Sequence, residues 1–318
     1  MKAILFTHYG DLDVLKYGEM PDPHPGPGEV RIHVRAAGVN PVDFKIRKGY
    51  LKERMPNQLP IIPGWDAAGV IDMVGKGVSS LAKGDEVYAY CRKPVIQFGT
   101  YAEYVVVPET FVALKPKKAS FEEAASIPLA ALTAWQSLFD AAGLKAGQSV
   151  LIHAGAGGVG GFAIQLAKNA GARVIATGSA KNHAYIRSLG ADHVIDYTVG
   201  DFRTAVKSLY PDGVDVVYDT VGGEVQVRSG DVIRPGGTIV SILAYDDEEA
   251  LKRRGIQTKY VFVSPNRDQL RALAGLYDEG KLTTHLAKVY PLSHAAEAHR
   301  QIETSHTAGK LVLTVGGV

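Results

Sequence analysis

The chain has 318 residues, 46% hydrophobic and 21% charged, with a formal net charge of +2, the balance of an ordinary soluble globular protein of two domains. Charge this close to neutral carries no electrostatic footprint for nucleic acid or an acidic partner. The single cysteine, Cys91, excludes an intrachain disulfide and any zinc site built on two or four cysteines; the N-terminal apolar run is too short for a signal peptide, no apolar stretch approaches the ~20 residues that span a bilayer, and a reduced cytoplasmic setting without membrane contact is expected.

The N-terminal part predicts short strands separated by turns. Met1 to Thr7 and Val30 to Ala36 read as strands, with the loop Pro21-Asp22-Pro23-His24-Pro25-Gly26-Pro27-Gly28 between them. The segment Asn40 to Lys45 follows as a loop and is the first candidate for the floor of a reaction pocket. Val70 to Val74, Glu86 to Tyr90 and Tyr101 to Val107 complete a pattern that suggests a compact β-barrel-like domain. At Ser120 the texture changes. Ser120-Phe121-Glu122-Glu123 is an S-x-x-E capping box, and alanine-rich helical sequence runs on through Ala130 to Ala142.

Strands and helices then alternate. Ser149-Val150-Leu151-Ile152 is a short apolar strand, and His153-Ala154-Gly155-Ala156-Gly157-Gly158-Val159-Gly160 follows it. Gly155, Gly157 and Gly160 form G-x-G-x-x-G, and Val159, Phe162, Ala163, Leu166, Ala167 and Ala170 recur at helical spacing behind it. Strand, glycine turn and helix are what a dinucleotide pyrophosphate needs: glycines admit the phosphates close to the backbone, and the helix N-terminus offers free N–H groups. The alternative is a turn that merely requires glycine. Further strands are expected at Arg173 to Thr177, His193 to Ile195, Asp215 to Tyr218, Thr238 to Leu243 and Lys259 to Val263. Helices are expected at Asn182 to Leu189 and along Phe202, Ala205, Val206 and Leu209. This rhythm predicts a doubly wound parallel sheet. Beyond Pro265, two helical patterns and a strand from Lys310 to Val315 form a tail that need not belong to that sheet.

A NAD-binding version of the motif carries an Asp or Glu about 20 residues past the glycines, on the ribose 2′-hydroxyl. Here the second strand runs out into Gly178-Ser179-Ala180-Lys181 without a carboxylate. A hydroxyl and an ammonium attract a 2′-phosphate that a carboxylate would repel, so Ser179 and Lys181 predict NADPH. The competing reading makes Ser179 a helix cap and Lys181 a solvated charge; both uses share one helix end.

With these residues in place, the whole chain resembles the medium-chain dehydrogenase/reductase superfamily, and within it the zinc-free quinone oxidoreductase and enone reductase branch. The resemblance runs through Pro27-Gly28-Glu29-Val30, Gly38-Val39-Asn40-Pro41-Val42-Asp43, Pro63-Gly64-Trp65-Asp66-Ala67-Ala68-Gly69, Gly84-Asp85-Glu86-Val87, Gly99-Thr100-Tyr101-Ala102-Glu103-Tyr104, Leu132-Thr133-Ala134, the glycine turn, and Gly190-Ala191-Asp192. It implies an α/β fold with a discontinuous GroES-like catalytic domain of β-barrel type (1–119 and 265–318) around a Rossmann NADPH-binding domain (120–264). It also implies frequent homodimers joined through the cofactor domains. Asn40 stands where the alcohol dehydrogenase branch has a cysteine, and Gly64-Trp65-Asp66 stands where that branch has Gly-His-Glu; no metal is therefore expected. Without a Lewis acid, alcohol deprotonation near neutral pH loses its driver, whereas a conjugated carbonyl still accepts hydride and leaves an enolate that a few hydrogen bonds stabilise.

The resemblance places Asn40 near the nicotinamide ribose and matches Lys45 to a lysine that approaches cofactor and substrate in plant enone reductases. Tyr50 is a candidate donor to the same acceptor oxygen. On the cofactor side it implies Thr133 near the nicotinamide, Gly155, Gly157, Gly158, Val159 and Gly160 at the pyrophosphate, and Ser179, Lys181 and Tyr197 at the adenosine phosphate. Leu243 and Phe262, at the ends of late strands, would wall the nicotinamide pocket. Trp65, Tyr245 and Tyr260 are candidate walls for the acceptor, against the commoner packing role of aromatic residues. His153 reads as a packed strand residue, and Cys91 as an unreactive one. The leading function is NADPH-dependent reduction of a small-molecule quinone or α,β-unsaturated carbonyl compound. The alternatives are a trans-acting enoyl-thioester reductase and a non-catalytic NADPH-binding regulatory protein.

Overall fold

The structure, a computed structural model, describes residues 1–316. The chain divides into two units, one formed by Met1–Leu132 with the segment from Ser264 onward and the other by Thr133–Val263.

In the first unit, β1 (Lys2–Leu5) and β2 (Lys16–Glu19) pair antiparallel. In β3 (Glu29–Val39), Val30, Ile32 and Val34 alternate with Arg31, His33 and Arg35, so the apolar residues reach the core from one face. The expected loop after it is instead a helix, α1 (Pro41–Arg47), with Asn40 at its N-cap and proline at its first position. Proline there is preorganised for the helix, and the segment is short enough that helical periodicity is weak. Next come β4 (Asn57–Ile62), β5 (Asp66–Val74), β6 (Glu86–Tyr90), β7 (Ile96–Phe98), β8 (Tyr104–Pro108) and β9 (Val112–Leu114). The helix α2 (Phe121–Ala125) begins on the expected capping box: Ser120 Oγ accepts the Glu123 N–H at 3.1 Å, and the Glu123 carboxylate accepts the Ser120 N–H at 2.8 Å. It packs against β3 so closely that a Cβ on Gly38 would lie 2.3 Å from the Ala125 carbonyl oxygen. That packing keeps residues 120–132 with the first unit, and the division falls after Leu132 rather than at the expected 119/120. The helix α3 (Pro128–Trp135) continues into a wider π-type turn over Gln136–Ala141.

The second unit alternates throughout: β10 (Ser149–Ile152), α4 (Gly158–Asn169), β11 (Arg173–Thr177), α5 (His183–Ser188), β12 (His193–Ile195), α6 (Phe202–Leu209), β13 (Val214–Asp219), α7 (Gly223–Ser229), β14 (Ile233–Ser241), α8 (Glu248–Arg253) and β15 (Gln257–Tyr260). Every pairing in its six-stranded sheet is parallel, in the order β12-β11-β10-β13-β14-β15. Helices cover such a sheet, so its central strands are buried along their length; all four residues of β10 are. Leu151, Ile175, Val217 and Ile239 join Phe202 and Val206 in the core, each worth about 1.5–3 kcal/mol on burial. Strand order reverses between β10 and β13, where open sheets of this kind bind ligands at the carboxyl ends of their strands.

The tail supplies α9 (Arg267–Asp278), β16 (Leu286–Pro291), α10 (Ala295–Glu303) and β17 (Lys310–Thr314). β17 pairs antiparallel with Ala36–Val39 of β3, while β8 takes the same edge of β3 along Glu29–His33. The tail thus completes a seven-stranded sheet, in the order β16-β17-β3-β5-β6-β9 with β8 also paired to β3.

Candidate active site

In the second unit, β10 runs straight into the glycine turn. Gly155 donates to the Thr177 carbonyl at 2.8 Å, tying the turn to β11. A Cβ on Gly160 would lie 2.3 Å from the Ala154 carbonyl oxygen, so only glycine lets α4 start this close to the turn. Ala154 itself sits at φ 51°, in the left-handed region, at a cost of roughly 1–2 kcal/mol. Gly157 is the N-cap of α4, and no side chain caps the helix. The first-turn N–H groups, around Gly158, Val159 and Gly160, are therefore open to an anion. His153 is buried beneath the turn. The Thr177 hydroxyl accepts the Ala154 N–H at 3.2 Å and lies 3.2 Å from His153 Nδ1, while His153 Nε2 lies 2.8 Å from Ser229 Oγ. Ser229 Oγ donates onward to the Val225 carbonyl, so it accepts from His153 Nε2–H. Burial lowers His153 to about 4, against the opposing pull of Asp219. It is a neutral peg that fixes the turn.

Of the remaining cofactor candidates, Ser179, Lys181, Tyr197, Leu243 and Phe262 follow the carboxyl ends of strands, and Thr133 lies on α3. Ser179 caps a short 3₁₀ turn after β11 and accepts from Asn182 Nδ2 at 3.3 Å; Lys181 within that turn is exposed. Tyr197 follows β12 and is exposed. Leu243, two residues past β14, is half-buried and donates its N–H to Ser241 Oγ at 3.0 Å. Phe262 follows β15 and is exposed. Thr133 is buried, and its carbonyl accepts the Tyr218 hydroxyl at 3.4 Å. Tyr245 is packed: its hydroxyl lies 2.9 Å from the Ile239 carbonyl and accepts the Lys259 N–H at 3.1 Å. Tyr260 is exposed.

In the first unit, Lys45 lies on α1, half-buried, and among the described residues no hydrogen bond or ion pair engages its ammonium. Burial and the neighbouring Arg54 charge lower its pKa from the ordinary lysine value. Tyr50 donates its N–H to the Lys45 carbonyl at 2.9 Å and is 62% exposed. Asn40 is 1% exposed and committed to protein partners. Its Nδ2 donates to Asp66 Oδ2 at 2.8 Å, and its Oδ1 accepts from Lys310 Nζ. At the start of α1, Asp43 Oδ2 accepts the Asn40 N–H at 2.8 Å.

Around Asn40 lies a buried ionic cluster that no sequence spacing announces, since its members come from positions 40, 43, 66, 101 and 310. Lys310 Nζ also donates to the Val39 carbonyl at 3.1 Å. Asp66 Oδ1 accepts the Leu129 N–H at 2.8 Å, and the Tyr101 hydroxyl donates to Asp43 Oδ2 at 3.0 Å. Burial, the largest cause for each carboxyl, raises Asp43 to about 7 and Asp66 to about 6, with Lys310 opposing. Burial lowers Lys310, and the two carboxylates oppose that. The other end of α1 is held as firmly. Arg47 is fully buried and bonds Glu303 of α10 at 2.6 Å, the Gly10 carbonyl at 3.2 Å and His299 Nδ1 at 3.2 Å.

Chemically, this first unit does not suit a zinc ion. Asn40 is occupied, Trp65 is a buried indole packed edge-on to Tyr90, and a buried ammonium repels a dication. Among the described residues, no three His, Cys, Asp or Glu side chains are grouped to hold a metal. Cys91 is buried, and burial pushes its thiol far up, against any nucleophilic use.

Comparison with known proteins agrees with this arrangement. Residues 26–117 match the family model described as alcohol dehydrogenase GroES-like domain, and residues 189–313 match the one described as zinc-binding dehydrogenase. A 2-methylene-furan-3-one reductase of Solanum lycopersicum is 40% identical over 98% of this chain and 79% of its own length. An NADPH-dependent alkenal/one oxidoreductase, chloroplastic, of Arabidopsis thaliana is 38% identical over the same shares. The solved structure of the quinone oxidoreductase from Coxiella burnetii superimposes with a TM-score of 0.91 at 38% identity, over 99% of each chain. The chain belongs to the medium-chain dehydrogenase/reductase superfamily, in its zinc-free quinone oxidoreductase branch.

Proposed function

We propose that this chain is a metal-independent reductase that delivers hydride from NADPH to quinones or α,β-unsaturated carbonyl compounds. The observation that carries the reading is the carboxyl edge of the six-stranded sheet. There an uncapped helix behind a glycine turn sits beside Ser179 and an exposed Lys181, with no carboxylate at the end of β11. These residues fit NADPH: α4 and the turn hold the pyrophosphate, Ser179, Lys181 and Tyr197 the 2′-phosphate side, and Thr133, Leu243 and Phe262 the nicotinamide. Bound there, NADPH supplies the hydride, and the chain supplies orientation and charge. In the first unit, the Lys45 ammonium donates to the acceptor's carbonyl oxygen, with the Tyr50 hydroxyl as a second donor. As hydride adds to the β-carbon, the alkene electron pair moves towards that oxygen, and these donors stabilise the enolate until solvent protonates the α-carbon. Asn40, fully engaged within the protein, serves by shaping the start of α1. The relatives named for enone, alkenal and quinone reduction support the acceptor class.

Two finer points belong to the same proposal. A homodimer forms through the second unit, where the edge strand β15 presents an exposed Tyr260. A cytoplasmic setting suits the single buried cysteine; among the described residues no helix is long and apolar enough to cross a membrane. The cofactor assignment is tested by Lys181→Ala. The KM for NADPH should rise about tenfold, the equivalent of ~1.4 kcal/mol, with the KM for NADH nearly unmoved. Equal effects on both cofactors would remove Lys181 from the 2′-phosphate.

A further inference from the structure

α1 is held at both ends by buried charge, and the unpaired Lys45 lies between the two holds. At its start, Lys310 reaches from β17 to the Val39 carbonyl and to Asn40 Oδ1. At its end, Arg47 and Lys48 both bond Glu303 of α10, at 2.6 and 2.7 Å. The second hold rests on a carboxylate with 21% of its surface exposed. The first is wholly internal, since Asn40, Asp43 and Asp66 are each at most 1% exposed and Lys310 is 5% exposed.

A buried ammonium is an expensive way to end a strand. Desolvating it costs several kcal/mol, and an apolar residue of similar volume often serves stability as well. Lys310 receives no such simple use. It bonds the last carbonyl of β3 and the side chain of Asn40, the residue from which α1 starts. Asn40 passes the constraint to Asp66, and Asp66 passes it to the Leu129 N–H at the start of α3.

We propose that Lys310 is a positioning residue for the reductase site: by holding the Val39 carbonyl and Asn40, it sets α1 and so aims the Lys45 ammonium at the acceptor. This inference rests on the role given to Lys45 above. The Lys310 ammonium is engaged by the Val39 carbonyl and Asn40 Oδ1, and its effect on the reaction passes through Lys45.

The test is a double-mutant cycle on the full chain, using Lys310→Met, Lys45→Ala and both together. The readouts are kcat and KM for a cyclic enone, the Kd for NADPH by fluorescence, and the thermal midpoint. Lys310→Met should lower kcat/KM for the enone at least about tenfold, mostly in kcat, while the Kd for NADPH stays near that of the parent. Adding Lys45→Ala should then cost little more, because the two residues act as one unit. A purely structural Lys310 would lower the thermal midpoint and leave kcat per folded molecule intact, which would overturn the inference. So would a full, independent loss from Lys45→Ala in the Lys310→Met background. No loss from Lys45→Ala in the parent would instead strike the role of Lys45 itself, and this inference with it. If Lys310→Met does not fold, Lys310→Arg enters the same cycle with the same outcomes, since it keeps the charge but alters the reach and geometry of the donor.

Discussion

Buried ionisable residues of opposite habit govern how this chain responds to pH. Burial raises Asp43 to about 7 and Asp66 to about 6, and lowers His153 to about 4 and His299 to about 3. For His299, burial is the largest cause, and the adjacent Arg47 adds to it. A carboxyl raised from its ordinary 3.8 favours the folded state fully below that value, and the benefit is lost as pH rises through the folded value. A histidine lowered from 6.5 favours the folded state above 6.5, and that benefit is lost as pH falls through its folded value. Between pH 4 and 6.5 the two slopes oppose each other, so the stability of the parent chain should be nearly flat there. Asp43→Asn keeps a side-chain oxygen for the Asn40 N–H and the Tyr101 hydroxyl but cannot ionise. Its stability relative to the parent should rise as pH goes from 5 to 8, by no more than about 1.4 kcal/mol for each step of one in pH. Urea unfolding at several pH values reads this directly; parallel curves for variant and parent would contradict the raised carboxyl.

At the scale of elements, β15 is an edge strand with unfinished hydrogen bonding. It pairs with β14 on one side and ends the six-stranded sheet on the other. An open edge with an exposed aromatic is a template for another strand. If two copies meet there, Tyr260→Asp should shift the protein from dimer to monomer in analytical ultracentrifugation, with NADPH binding retained; an unchanged sedimentation coefficient would contradict that arrangement. The same scale shows what the sequence makes legible. The parallel sheet is readable because its strands are short apolar runs closed by glycines, and the α2 cap because Ser120 and Glu123 stand three apart. α1 reads as a loop, because Pro41–Arg47 spans two turns and its polar residues point inward to partners far along the chain. Asp43 and Arg47 are buried on that helix, where charged residues ordinarily mark a solvent face. α7 and α8 escape for a related reason: short helices leave little room for an apolar period. The glycine turn and Ser179–Lys181 are visible because they are contiguous. The cluster of Lys310, Asn40, Asp66 and Asp43 is not, because only the return of β17 to β3 brings position 310 to position 40.

For the molecule as a whole, the proposed function divides the work between the two units by chemistry. The second offers backbone N–H groups, glycine and the exposed Lys181, the means of binding a phosphorylated cofactor. The first is built from a fixed helix carrying an unpaired ammonium, the means of stabilising negative charge on an oxygen. Those means suit hydride transfer to an acceptor that is already electrophilic. The most direct measurement is the decay of NADPH absorbance when the purified chain meets quinones, alkenals and cyclic enones, with a chelator present throughout. Turnover of at least one conjugated acceptor, undiminished by the chelator and faster with NADPH than with NADH, is the expected result. Tight NADPH binding with no turnover of any acceptor would contradict a reductase and leave an NADPH-binding protein in its place.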